Sequence, residues 1–260
     1  MKNKLKLWSL IFFFFAVSAC KKDDTVISSP PLMPPRAAFV MDFTGYKYLH
    51  QTKTYTNFNI AVTNVKPWYK LMEEILFIPF AAYKEALYVT PIKIDANSWQ
   101  WEFDFTIEKA YKGKLKSLRN GDNIEWKMYV SKAGEFSDFL WYEGTTDYFA
   151  TKASWLIYDS PAVPRKIIGV EWILNEDKTY SLEYKNIANG GRDFGSFIKY
   201  STNVADEFNK SFDVYDKLNE HLSKIEWTKD NVSGRLQDSF SYGNSDWYCW
   251  NEDYQDTDCK

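Results

Sequence analysis

The chain has 260 residues, which permits one large domain or two small ones. It carries 32 Lys and Arg against 35 Asp and Glu, for a formal net charge of -3, and it contains no long basic stretch. Because binding to a phosphate backbone depends on a concentrated positive surface, we expect no nucleic-acid partner. Phe, Tyr and Trp number 19, 18 and 11 against 11 Gly and 9 Pro, a composition that excludes a disordered or collagen-like chain.

The first 19 residues have the layout of a signal peptide. Three lysines among the first six residues precede an apolar run at 7–17, and two small residues follow at 18 and 19. A helix over the apolar run would reach roughly 16 Å, about half of a 30 Å hydrocarbon core. We therefore expect residues 1–19 to be cleaved off rather than to span a bilayer.

The residues that follow indicate a lipid anchor. Val17-Ser18-Ala19-Cys20 resembles the lipobox of bacterial lipoproteins, with Val at a position where Leu is commoner. The resemblance implies that Cys20 carries a diacylglyceryl group and becomes the new N-terminus, so that acyl chains hold the protein on a lipid bilayer. The alternative is an ordinary signal peptide in which Cys20 is incidental.

Residues 20–35 are predicted to be a tether between the membrane and a single domain at 36–260. The tetrad Lys21-Lys22-Asp23-Asp24 resembles the surface-export signal of lipoproteins from Bacteroidota-type bacteria, and it implies an outer-membrane protein displayed on the cell surface. The alternative is a solvated charged tether on the periplasmic face. Four prolines at 30, 31, 34 and 35 favour an extended chain. Losing residues 1–19 removes three lysines and no acid, which changes the net charge from -3 to -6.

Two cysteines remain after Cys20 is assigned to the lipid. Cys249 and Cys259 lie in a compartment that permits disulfides, and we expect them to pair with each other. A metal site is the weaker alternative, because two thiols without a nearby His fall short of the four ligands of structural zinc.

The residues after the tether predict helices first. Apolar residues at 58, 61, 62 and 65 have helical spacing, with Asn57 as the N-cap. A second helical stretch is predicted to begin at Pro67 and to be kinked or restarted at Pro79, because proline nitrogen cannot donate the helical hydrogen bond.

From residue 98 the apolar period changes from 3.6 to 2, which predicts β-strands. The alternating apolar positions run through 99–107, 124–130, 168–174 and 180–184, and shorter strands are expected around 139–142, 154–158, 197–200 and 224–228. Asn120-Gly121-Asp122 and residues 175–178 are predicted hairpin turns. The fold class is therefore α+β, with N-terminal helices packed on a large, curved, mainly antiparallel sheet, a meander of eight or more strands.

A triplet of the form (Ile/Val)-Glu-Trp occurs at 124–126, 170–172 and 225–227. Its irregular spacing excludes a solenoid or propeller, and alternation in aromatic-rich strands accounts for it, with Trp inside and Glu outside. These strands and the segment at 247–250 resemble lipoproteins of the same bacterial group, and the resemblance implies no activity.

Little in the sequence predicts catalysis. The two histidines, His50 and His221, are too few for a three-His metal centre, and neither lies in a nucleophile motif. The tripeptide Asp193-Phe194-Gly195 lacks every other kinase feature and is predicted to be a loop. The acidic residues at 251–258 could hold Ca²⁺ but match no EF-hand. A pair of carboxylates facing each other across the sheet, as glycoside hydrolysis requires, is an alternative that the sequence leaves open. We expect no catalytic residue, no cofactor and no metal.

Location and aromatic excess favour a non-enzymatic binding lipoprotein, with a glycan or a hydrophobic molecule as ligand. A glycan site would expose Trp and Tyr rings beside polar groups, and a lipid site would enclose an apolar cavity between sheet and helices. The alternative is a structural lipoprotein that docks on another envelope protein through its sheet edge or an exposed aromatic patch. An enzyme ranks third.

Overall fold

The computed structural model describes residues 29–44, 56–203, 207–228 and 233–259, and its main feature is one antiparallel sheet of 14 strands. Each strand pairs with the next along the chain, so the order in the sheet is the order in the sequence. The strands are β1 (Ile92–Lys93), β2 (Ser98–Ile107), β3 (Lys109–Asn120), β4 (Asn123–Lys132), β5 (Phe136–Asp147), β6 (Lys152–Ser160), β7 (Val163–Leu174), β8 (Tyr180–Asn186), β9 (Phe197–Thr202), β10 (Lys210–Asp216), β11 (His221–Trp227), β12 (Gly234–Gln237), β13 (Tyr248–Trp250) and β14 (Asp256–Thr257). The predicted meander is confirmed.

The helices are α1 (Thr56–Glu74), α2 (Phe77–Ala86) and α3 (Ser239–Tyr242), and a 3-10 helix covers Arg36–Ala38. Helix α1 continues through Pro67, where the sequence predicted a new helix. Its apolar face stays buried on both sides of the proline, at Val65 and Trp68, and this packing offsets the one hydrogen bond that proline cannot donate. The restart predicted near Pro79 is confirmed, since α2 begins two residues before it.

The inner segment, defined as residues 36–43, crosses the middle of the sheet. The indole Nε1 of Trp155 donates to the carbonyl of Ala38 at 3.1 Å. The hydroxyl of Tyr184 donates to the carbonyl of Phe39 at 2.8 Å and accepts from the N–H of Met41 at 2.9 Å. Buried side chains thus satisfy the backbone of a segment that belongs to no strand.

The sheet is curved, and the helices lie on its concave face. Helix α2 packs on β2, β3 and β4, and α1 packs on β12, β13 and β14, so the two helices contact opposite ends of the strand order. Between the middle strands and the helices lies the inner segment, where Phe39 stacks on Tyr83 of α2 at 4.8 Å and also contacts Tyr142 of β5. A sheet that meets the helices near both ends and leaves room for another layer in its middle must bend around them.

The aromatic excess fills this core. Trp247 is the one tryptophan at a described position that is not buried. In the three (Ile/Val)-Glu-Trp triplets, Trp126, Trp172 and Trp227 are 1–2% exposed, and each glutamate points to the outer face because side chains alternate along a strand. The predicted alternation is confirmed.

Three glycines in the sheet lie opposite aromatic residues. The cross-strand pairs are Gly113 with Phe103, Gly144 with Trp155, and Gly234 with Trp250. A Cβ built on each glycine would come within 2.3–2.5 Å of the partner ring. The rings therefore lie over the glycine backbone, an arrangement that covers the gap left by the missing side chain.

The outer face of the sheet carries pairs of opposite charge between strands. Lys166 of β7 lies 3.0 Å from Glu143 of β5, across the intervening β6, and Arg235 of β12 lies 2.6 Å from Glu226 of the neighbouring β11. Each such pair is partly solvated and contributes little to the free energy of unfolding. Together they keep the outer face polar, whereas the apolar side chains are buried on the concave face.

The C-terminal cysteines form the predicted disulfide. The sulfurs of Cys249 and Cys259 are 2.10 Å apart and the Cα atoms 5.2 Å apart. Cys249 lies in β13 and Cys259 follows β14, so the bond closes the last hairpin of the sheet.

Candidate functional site

An open cleft of about 450 Å³ lies between α1 and the ends of β10 and β11. We call it the His221 cleft. Its walls also include the loop between β8 and β9 and the start of α3. Among the residues that line it are Asn64, Trp68, Asp193, Asp216, Asn219, His221, Ser223 and Phe240.

Strand periodicity places the polar residues of the cleft together. His221 and Ser223 share the inner face of β11 with Ile225 and Trp227, which are buried further along the strand. Asp216 of β10 lies directly opposite His221 in the sheet. The inner face of β11 is thus polar in its first residues, where the cleft opens, and apolar beyond them.

A hydrogen-bond network fixes the floor of the cleft around Asp238, which is 1% exposed. Ser223 Oγ donates to Asp238 Oδ2 at 2.8 Å, and Asn64 Nδ2 donates to the same oxygen at 2.7 Å. The backbone N–H of Ser241 donates to Asp238 Oδ1 at 2.8 Å, so Asp238 is also the N-cap of α3. His221 Nε2 lies 3.1 Å from Asp238 Oδ1.

These contacts keep the carboxyl group of Asp238 ionised. Burial alone would raise its pKa, but the hydrogen bonds from Ser241, Ser223 and Asn64 and the proximity of His221 outweigh burial, so the pKa of Asp238 is lowered. A buried carboxylate with this many donors is a rigid anchor for the side chains around it.

The cluster of Ser223, His221 and Asp238 is not arranged as a catalytic triad. In a triad one imidazole nitrogen faces the serine and the other faces the carboxylate. Here His221 Nε2 faces both, at 2.9 Å from Ser223 Oγ and 3.1 Å from Asp238 Oδ1. The Ser223 hydroxyl donates to Asp238 and the residue is 1% exposed, so it is not placed as a nucleophile.

Apolar surface completes the cleft. Phe240 is 70% exposed and its ring centroid lies 5.7 Å from that of His221. Trp68 of α1 also lines the cleft but is largely buried. The exposed ring beside the polar groups is therefore a phenylalanine, whereas exposed Trp and Tyr rings were expected at a glycan site.

A second, larger cavity of about 1000 Å³ lies between residues 36–44 and the helices α1 and α2. Its lining is mostly apolar and includes Met72, Phe77 and Phe80, with Arg36 and Lys84 among the charged residues. Like the His221 cleft it is open to solvent, so it is not the enclosed cavity expected of a lipid site.

Of the other residues singled out in the sequence, Cys20 and His50 lie outside the described residues. In the acidic segment at 251–258, Asp256 accepts a hydrogen bond from the N–H of Asn57 at 2.9 Å. Within the described ranges no group of three or more His, Cys, Asp and Glu side chains is placed to hold a metal ion.

The His221 network was not predicted from the sequence. His221 has no nucleophile motif beside it, and the one local signal is Ser223, which follows at the two-residue spacing of one strand face. Asp238 and Asn64 are 15 and 159 residues from Ser223 in the chain, and only the folded sheet brings them together.

Comparisons with known proteins do not identify the chain. Family models, curated proteins and solved structures each gave no match. No helix in the described part of the chain has the length and apolar character needed to cross a membrane.

Proposed function

We propose that the chain is a lipid-anchored envelope protein whose domain binds a ligand without chemically changing it. The observation that carries the proposal is the His221 cleft, where a fixed polar network opens beside an exposed aromatic ring. Pockets that combine apolar walls with a few convergent polar groups are typical of small-molecule sites. Because Ser223, His221 and Asp238 are not arranged as a catalytic triad, their geometry supports ligand binding rather than acyl transfer.

We propose a sugar residue of a glycan as the ligand of this cleft. Carboxylate, amide and imidazole groups at Asp193, Asp216, Asn219 and His221 suit the donor and acceptor character of hydroxyls. The exposed ring of Phe240 suits the apolar C–H face of a sugar ring. A hydrophobic ligand is the second candidate, and the apolar part of the lining of the 1000 Å³ cavity supports it, although that cavity is open to solvent.

The cellular location in this proposal comes from the N-terminus. Cleavage before Cys20 and acylation of its thiol would hold the domain on the outer membrane, with the bilayer as its partner. The tetrad at 21–24 favours display on the cell surface, and the periplasmic face is the alternative.

Docking on another envelope protein ranks below ligand binding. The two strands at the ends of the sheet order, β1 and β14, have two residues each, and such short edges offer little backbone for an added strand. Exposed aromatic residues such as Tyr88 and Phe149 keep this alternative open as a surface contact.

The test is a glycan array combined with solvent extraction and mass spectrometry of lipids, both on the full-length protein in detergent. Binding to one glycan class supports the proposal, and a co-purified lipid supports the hydrophobic alternative. Absence of both would overturn the ligand-binding function and favour the protein-docking alternative.

A further inference from the structure

We propose that His221 determines the specificity of its cleft by offering Nδ1 as a hydrogen-bond acceptor, so that the cleft selects neutral hydroxyl-bearing ligands over anionic ones. The inference rests on the proposed function and assigns its ligand chemistry. It follows from the proton positions in the Asp238 network and from the charges that line the cleft.

The network fixes which nitrogen of His221 carries the proton. Ser223 has one hydroxyl proton, and that proton is directed at Asp238 Oδ2. Nε2 of His221 therefore cannot accept from Ser223, and an unprotonated Nε2 would place its lone pair against the Asp238 carboxylate 3.1 Å away. The neutral imidazole must carry its proton on Nε2 and donate it into the network.

This tautomer leaves a lone pair on Nδ1. The two hydrogen-bonding contacts of the His221 ring with described residues, Ser223 and Asp238, both involve Nε2, and the ring lines the cleft. A buried carboxylate that fixes one nitrogen of an imidazole orients the other nitrogen for a ligand. Nδ1 is thus a preorganised acceptor for a ligand hydroxyl.

The charges of the cleft oppose anions. Its lining includes the carboxylates of Asp193 and Asp216, and no lysine or arginine is among the described residues that line it. Asp216 is held in place by the N–H of Leu218 at 2.8 Å and the side-chain amide of Asn219 at 2.7 Å. A carboxylate or phosphate on the ligand would be repelled by these two carboxylates and by the lone pair of Nδ1, whereas a hydroxyl group can donate a hydrogen bond to any of them.

The tautomer is measured on the full-length protein with ¹⁵N-labelled histidine. Long-range ¹H–¹⁵N correlation distinguishes a protonated Nε2 from a protonated Nδ1, and a His50→Gln variant assigns the two histidine signals. We expect the proton of neutral His221 on Nε2. A proton on Nδ1 would overturn the inference whether or not the protein binds sugars.

The ligand class is measured by titrating the same sample with glucose, galactose and mannose and with the uronic acid of each. We expect at least one neutral sugar to shift the His221 signals and its uronic acid to bind about tenfold more weakly. Equal binding of both members of a pair would overturn the charge selectivity and leave the proposed function standing. If no sugar shifts the His221 signals, the proposal that this cleft binds a sugar is wrong.

Two variants separate Nδ1 from the rest of the ring. His221→Gln can keep an amide donor at the place of Nε2 but loses the acceptor at Nδ1, and we expect about fivefold to tenfold weaker binding of the neutral sugar. His221→Asn places an amide oxygen near Nδ1 and should retain more of the affinity. Unchanged affinity in His221→Gln would show that Nδ1 does not contact the ligand.

Discussion

The N–H of Asn57, in the first turn of α1, donates a hydrogen bond to Oδ1 of Asp256 at 2.9 Å. The side chain of Asn57 also donates to the carbonyl of Cys249 at 2.8 Å. Asp256 lies in β14, inside the loop that the disulfide closes, and Cys249 is one of the two bridged residues. The start of the long helix is thus held by the end of the chain, 199 residues away.

Breaking the disulfide should therefore loosen both the last hairpin and the start of α1. The double variant Cys249→Ala, Cys259→Ala is expected to lower the free energy of unfolding by about 2–4 kcal/mol, the usual range for one native disulfide. Urea denaturation followed by circular dichroism gives this difference. Asp256→Ala is the matched control, because it leaves the disulfide in place and removes the acceptor of the Asn57 N–H at the start of α1, which should cost about 1 kcal/mol. A double variant with the parent stability would show that the bond has no structural role.

The glycines beneath the aromatic rings should differ in their tolerance of a methyl group. At Gly144 a Cβ would lie 2.2 Å from the backbone oxygen of Ser154 and 2.5 Å from the buried Trp155. At Gly113 the three nearest atoms all belong to the ring of Phe103, a half-buried side chain that borders an open pocket. We expect Gly144→Ala to lower the free energy of unfolding by about 2–3 kcal/mol and Gly113→Ala by less than about 1 kcal/mol. Equal losses in urea denaturation would contradict this account.

The fold was predictable where one physical rule dominates. The alternation of Trp99 and Trp101 with polar residues requires a strand because period two places both rings on one face. The unbroken path of α1 through Pro67 was not predictable, since it depends on packing that no local pattern contains. The site was even harder to predict from the sequence, because Asn64 of α1 reaches Ser223 and Asp238 only once α1 lies on the C-terminal strands of the folded sheet.

The Asp238 network should make stability depend on pH. Asp238→Asn replaces one of the two accepting oxygens by an amide donor that faces other buried donors, and it removes the charge, so it is expected to lower the free energy of unfolding by about 3 kcal/mol at pH 7. The pKa of Asp238 is lowered in the folded state, so its contribution is present above the unfolded value of about 3.9 and is lost as the pH falls through the folded value.

The difference between parent and Asp238→Asn should accordingly shrink below about pH 4. Urea denaturation at a series of pH values measures it. Asp193→Asn, at an exposed position of the same cleft, is the control and should change stability by less than about 0.5 kcal/mol. A difference that grows in acid would show that Asp238 is not ionised in the fold.

The proposed lipid anchor is tested at Cys20. Cys20→Ala should abolish incorporation of labelled fatty acid, because it removes the thiol proposed to carry the diacylglyceryl group, whereas Cys259→Ala should leave labelling intact. Continued labelling of Cys20→Ala would refute the anchor.

The proposed export signal at residues 21–24 has a separate test. Alanines at residues 21–24 should reduce digestion of the protein by protease added to intact cells, if this tetrad directs the protein to the surface. The expected readout is the fraction protected relative to the parent. Unchanged digestion would assign the tetrad to the tether alone.

The exposed ring of Phe240 should contribute to binding and not to folding. The side chain is 70% exposed beside His221, so Phe240→Ala removes little buried area and should leave the free energy of unfolding within about 0.5 kcal/mol of the parent. Under the proposed sugar-binding function, loss of the ring should weaken binding in the His221 cleft by about tenfold, since it removes the apolar surface beside the polar groups of the cleft. Phe149→Ala is the matched control, because Phe149 is 73% exposed in the turn between β5 and β6 and does not line the cleft. If both variants bind the sugar with the parent affinity, the ligand does not contact Phe240.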